Sequence, residues 1–195
     1  MSVLPIYLYG SDVLRTKAKP VRGPDESAVK LIHDMFETMH KANGIGLAAT
    51  QVGDLRRIIV VDVTEPEEEP TEDAQPRKTT PHPQQAYALI NPEIVQSSGT
   101  WTIEEGCLSI PEVRAEVERP ETIRIRYLDV NFQPQEMEAS GLLARVILHE
   151  VDHLDGILFI DRLSAPKRAL LKAQLRTIKK GEVEVSYPAM QDVEA

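Results

Sequence analysis

The chain has 195 residues, 31 acidic against 22 basic side chains for a net charge of −9, and one cysteine. That length suits one domain whose core needs no covalent staples, and a lone Cys107 excludes an intrachain disulfide. The acidic balance argues against broad binding to nucleic-acid backbones, and no apolar run approaches the ~20 residues of a membrane-spanning helix.

The first segment lacks the charged start and long apolar run of a secretory signal, so the cytoplasm is the expected location. Asp25 to Lys41 predicts a helix, with Asp25 as N-cap, Ala28, Ile32, Met35, Phe36 and Met39 at helical spacing, and Gly44 as its stop. Asn43 to Gly53 is small and glycine-rich, which predicts a pocket-lining loop. Arg57 to Val63 is apolar and β-branched, as a buried strand should be.

From about residue 64 to residue 86 the composition changes to six acidic residues and five prolines, with no large apolar side chain. This predicts a flexible surface insertion between two strands of one domain spanning 1–195. Tyr87 to Asn91, Thr100 to Ile103, Val113 to Val117 and Thr122 to Val130 are further strand candidates. A second helix is expected from Ser140 to about Leu154, with Gly156 as breaker and apolar residues on two stripes, hence central and buried. A third should run from Ser164 to Lys180, with Leu171, Leu175 and Ile178 inward and six basic residues outward, before a tail strand from Val183 to Tyr187. The fold class expected is α+β: small, mostly antiparallel sheets around a central helix, with N-terminal and C-terminal helices.

That central helix carries His149-Glu150-Val151-Asp152-His153. Residues four apart share one helix face, so both imidazoles reach one ion, with a carboxylate at its edge. An open catalytic site needs a third protein ligand. The extended zincin pattern would put a histidine at position 159, where this chain has Phe159, and Glu182 is a poor alternative at the end of a basic helix. Cys107, in Glu105-Gly106-Cys107-Leu108-Ser109, is the better candidate; a thiolate suits a borderline divalent ion, and Gly106 would allow close backbone approach.

Together with Gly44-Ile45-Gly46-Leu47-Ala48-Ala49-Thr50-Gln51, these blocks resemble peptide deformylases in order and spacing. The resemblance implies removal of the formyl group from the N-terminal formyl-methionine of nascent polypeptides, with release of formate. Cys107, His149 and His153 would hold the metal, Fe²⁺ in cells with Ni²⁺, Co²⁺ or Zn²⁺ accepted. Glu150 would move the proton, and the Leu108 N–H and Gln51 amide would stabilise the oxyanion. Gly46 would bind the peptide backbone, while Ile45, Leu142 and Val146 wall the methionine pocket. Against the family pattern, Leu148 stands where glutamine is common, the insertion is long, and the tail is strand-like. A zinc endopeptidase and a catalytically silent metal module are the alternatives. His33, His40 and His82 receive no role, Trp101 is expected to pack in the core, and the basic face from 164 to 180 is a candidate ribosome contact.

Overall fold

The structure, a computed structural model, describes residues 2–64 and 86–191. The interior of the expected insertion therefore lies outside the described residues, as does His82. Strand β1 (Ile6–Tyr7) leads to helix α1 (Glu26–Lys41). Asp25 caps that helix as predicted, its carboxylate accepting the Ser27 N–H at 2.9 Å. The expected glycine-rich loop is more ordered than its composition suggests: it forms strand β2 (Gly46–Ala48) and a 3₁₀ turn (Ala49–Val52). Strands β3 (Ile58–Asp62), β4 (Ala86–Ser98), β5 (Trp101–Cys107), β6 (Ile110–Arg119), β7 (Thr122–Leu128) and β8 (Pro134–Ser140) precede helix α2 (Gly141–Leu154). Helices α3 (Ala165–Leu170) and α4 (Lys172–Lys179) and strand β9 (Ala189–Met190) follow.

The main sheet is antiparallel in the order β2-β3-β4-β7-β8. It lies between the two long helices. Ile58 and Val60 pack with Ile32, Met35 and Met39 of α1, while Ile59 and Val61 pack with Val146, Ile147 and Val151 of α2. Both faces of β3 are thus buried, which is why its sequence reads as an unbroken apolar run. Strands β5 and β6 form a separate antiparallel hairpin, and β1 and β9 a short parallel pair. The fold is the α+β arrangement expected.

Four local expectations need correction. β8 was not foreseen: it is an edge strand whose residues are mostly exposed, so only Met137 and Ala139 carry an inward signal. β4 runs past Asn91-Pro92, because irregularities between Ile90 and Glu93 absorb the proline while Asn91, at φ 53°, bonds both main-chain groups of Val21. The third helix divides at Leu171. α3 has no buried residue to hold it to the core, whereas α4 buries Leu175 and Ile178. The tail from 183 to 187 has the alternating half-buried side chains of an extended chain, but its pairing begins only at Ala189, against Ile6.

Candidate metal centre and substrate cleft

α2 begins at Ser140, which holds the N-cap position without donating or accepting through its side chain there, and ends at Asp155 before Gly156 at φ 73°. A Cβ on Gly156 would stand 2.6 Å from the Arg15 carbonyl oxygen, so this exit needs glycine. Inside the helix His149 and His153 are both buried, their rings edge-on with centroids 5.0 Å apart. The β5-β6 hairpin supplies Cys107 at an irregular point of its ladder, opposite Ile110. Sγ, and one nitrogen from each histidine, lie within 4.8 Å of one another, with Sγ 3.2 Å from Nε2 of His153. Residues more than forty positions apart therefore converge as a one-sulfur, two-nitrogen donor set fit for a divalent transition metal. Phe159 takes no part as a ligand and stacks on His149 instead, at 6.1 Å between centroids.

Gly106 does not require close packing, since a Cβ there would meet Arg114 no nearer than 3.6 Å. The tight glycines are in the first motif. A Cβ on Gly46 would fall 2.5 Å from Oε1 of Glu150 and 2.6 Å from Val146, and one on Gly44 would fall 2.8 Å from Leu108. Glycine is what lets β2 pass directly over Glu150 and the α2 face.

Around the donor set the buried charges are ordered. Glu105 accepts Nδ1–H of His149 at 2.9 Å and is paired with Arg119 at 2.6 Å and Arg145 at 2.8 Å. Burial opposes its ionisation, but the His149 and Arg119 hydrogen bonds prevail and hold it far below the usual carboxylate range. Asp152 accepts from Arg119 at 2.6 Å and from Arg162 at 3.0 Å, tying α2 to both hairpin and downstream turn. Burial lowers His149, yet hydrogen bonds to Cys107 and Glu105 outweigh it and raise the metal-free imidazole to about 10. His153 moves the other way, well below its ordinary value, through burial and then the charge of His149. Desolvation pushes Glu150 up to about 7, only partly offset by His149 and Arg119. Its Oε2 and the Nδ1 of His153 are buried without a hydrogen-bond partner among the described residues.

A cleft of about 510 Å³ opens onto this centre. It brings together Ile45, Gly46, Gln51, Cys107, Leu108, Leu142, Val146, His149 and Glu150, while His153 lies behind them, 1% exposed. Ile45 and Leu142 are 46% and 45% exposed and present apolar surface at the mouth of the cleft. Gln51 is fixed at both ends: Oε1 accepts the Ala48 N–H at 2.8 Å and Nε2 donates to Ser109 Oγ at 3.2 Å, which turns the amide toward Cys107.

A family model described as polypeptide deformylase matches residues 3–169. The chain belongs to the peptide deformylase family. It is 52% identical to the peptide deformylase of Salinibacter ruber over 187 residues, covering 95% of this chain and 93% of that one. It is 41% identical to that of Chlorobaculum tepidum, covering 98% and 96%. Among solved structures it is similar to the Legionella pneumophila deformylase, with a TM-score of 0.78 at 38% identity, covering 93% of this chain and 98% of the other. The Ehrlichia chaffeensis deformylase in complex with actinonin gives the same TM-score at 37% identity, covering 94% and 100%. The protein is a hydrolase of the N-formyl amide that removes the formyl group from nascent peptides, and the endopeptidase and silent-module alternatives fall away.

Reasoning from sequence did not single out Arg119, Arg145, Asp152 or Tyr187. Trp101 is half-buried rather than a core residue: the Arg145 guanidinium lies 5.3 Å from its ring centroid and donates to its carbonyl. The visible signal is an arginine inside the otherwise apolar run Leu142 to Leu148. His33 is exposed, and His40 pairs with Asp62 at 2.8 Å, away from the cleft.

Proposed function

We propose that Cys107, His149 and His153 hold one divalent ion, with Fe²⁺ in cells and Ni²⁺, Co²⁺ or Zn²⁺ accepted in purified protein. The carrying observation is the convergence of Sγ and two imidazole nitrogens within 4.8 Å beside a cleft. When bound, such an ion supplies a Lewis acid that acidifies water and polarises a carbonyl.

The protein groups account for the rest. Glu105 holds Nδ1 of His149 and so leaves Nε2 directed to the cluster. Glu150, raised toward neutrality by burial, takes the proton of the attacking water and returns it to the departing amine. As the formyl carbon becomes tetrahedral, the Leu108 N–H and the Gln51 amide, already aimed by Ala48 and Ser109, stabilise the oxygen. The peptide lies extended along β2, bonded to the Gly46 backbone, with its methionine side chain against Ile45, Leu142 and Val146.

The chain is read as one domain with an insertion at about 64–86, working in the cytoplasm; among the described residues no helix is long and apolar enough to cross a membrane. The cations of 164–180 are read as a ribosome contact. Three already have acidic partners, Lys167 with Glu116, Arg168 with Asp161 and Lys180 with Glu182, so the face offers fewer uncompensated charges than its sequence suggests. The deciding assay is hydrolysis of formyl-Met-Ala peptides by anaerobically purified, metal-analysed protein. Formate release that follows metal content supports the reading; release by metal-stripped protein overturns it.

A further inference from the structure

We infer that Tyr187, which lies beyond the stretch 3–169 that the family model matches, is a positioning residue of this active site: its hydroxyl holds the Leu108 main chain in place. The inference rests on the assignment of the Leu108 N–H to the developing oxyanion. After α4 the chain returns across the molecule and is anchored to the N-terminal strand, with the Ile6 N–H donating to the Pro188 carbonyl and the Leu8 N–H to the Met190 carbonyl, each at 2.9 Å. Pro188 restricts Tyr187 to extended backbone, which throws its ring forward from that anchor. The ring packs half-buried on the cluster that contains Leu108, Met39 and Ala42, and it lines the cleft. Its hydroxyl donates to the Leu108 carbonyl at 2.6 Å.

The next carbonyl, that of Ser109, accepts the Tyr9 N–H at 2.7 Å. Two successive carbonyls after Cys107 are thus held by the two ends of the described chain, which are themselves paired as β1 and β9. The Leu108 carbonyl lies in the peptide plane next to the one that carries the Leu108 N–H, so holding it restricts the Leu108 torsions through which that N–H could swing away. An oxyanion donor contributes only if it is aimed before the charge develops, so a loosened Leu108 should slow the chemical step more than it weakens peptide binding.

The test is Tyr187→Phe, which removes only the hydroxyl, with rates expressed per metal-loaded site. We expect kcat on formyl-Met-Ala peptides to fall about three- to ten-fold, the equivalent of one neutral hydrogen bond, with KM unchanged. Hydrogen exchange of the Leu108 amide in the metal-free variant should be faster by about three-fold or more, while the melting temperature stays within about 2 °C. Tyr187→Ala, which also removes the cleft wall, should lose at least as much kcat and raise KM. Wild-type kcat together with unchanged Leu108 exchange would overturn the role of Tyr187. Faster exchange at wild-type kcat would instead overturn the assignment of that amide to the oxyanion.

Discussion

Oε2 of Glu105 and Nδ1 of His149 are 2.9 Å apart, both residues are buried, and the same carboxylate also pairs with Arg119 and Arg145. This contact joins the two elements that supply the donor set, because Glu105 stands two residues before Cys107 on β5 while His149 belongs to α2. It gives the protein a pH signature. Glu105 has a folded pKa far below its unfolded value near 4.5, so its stabilisation is complete above that value and is lost as the pH falls through and below it. In the metal-free state, denaturant titrations should show stability falling from about pH 5 downward. Glu105→Gln should be less stable at neutral pH and markedly flatter across the acid range. An equally steep acid limb in the variant would remove Glu105 from this role.

Glu150→Gln keeps the shape of the side chain but not its base. Metal content should remain that of the parent, because Glu150 is not among the three converging donors. Formyl-peptide hydrolysis should fall by about 10²- to 10⁴-fold, the range for loss of a general base. Parallel metal analysis and steady-state kinetics check this, and a variant that loses its ion would place Glu150 in the coordination sphere instead.

Gly46→Ala tests the close passage of β2 over the catalytic helix. The new methyl would occupy space 2.5 Å from Oε1 of Glu150 and 2.6 Å from Val146. Overpacking of this kind costs about 1–3 kcal/mol, and here the group that must move is the Glu150 carboxylate, the proposed base. Activity should therefore drop by more than the loss of stability accounts for. Calorimetry beside kcat/KM separates the two, and full activity would show that β2 has room to spare.

Much of this could be read before any coordinates, and the reason lies in how locally each signal is written. The i, i+4 histidines, the Asp25 cap and the unbroken apolar run of β3 are properties of short segments, so spacing and composition reveal them. Elimination and its own block single out Cys107, whose Sγ lies within 4.8 Å of a nitrogen of each histidine. What stayed hidden is what depends on distant chain segments meeting: Arg119 bridging Glu105 to Asp152, Arg145 reaching from α2 to the carbonyls of Trp101 and Val117, and Tyr187 arriving from the tail. The edge strand β8 was hidden for the opposite reason, since its exposed Glu and Gln residues show almost no apolar alternation. The break at Leu171 has no glycine or proline to announce it.

Arg145→Met removes the ties from α2 to Glu105 and to the Val117 and Trp101 carbonyls while keeping most of the side-chain volume. Because the β5-β6 hairpin shares no ladder with the main sheet, such side-chain bridges hold it against α2. Breaking one buried charged partner should cost about 3 kcal/mol and lower the melting temperature by roughly 5–10 °C. The Cys107 thiol of the metal-free protein should also react faster with a thiol reagent. Unchanged thiol reactivity would show that the hairpin is held elsewhere.

The proposed metal centre requires one sulfur and two imidazoles on a single ion. X-ray absorption at the metal edge of protein loaded with one equivalent of Co²⁺ or Ni²⁺ reads that directly. We expect one sulfur neighbour near 2.3 Å with nitrogen or oxygen neighbours near about 2.0–2.1 Å, the sulfur shell disappearing in Cys107→Ser. A first shell without sulfur in the parent protein would contradict it.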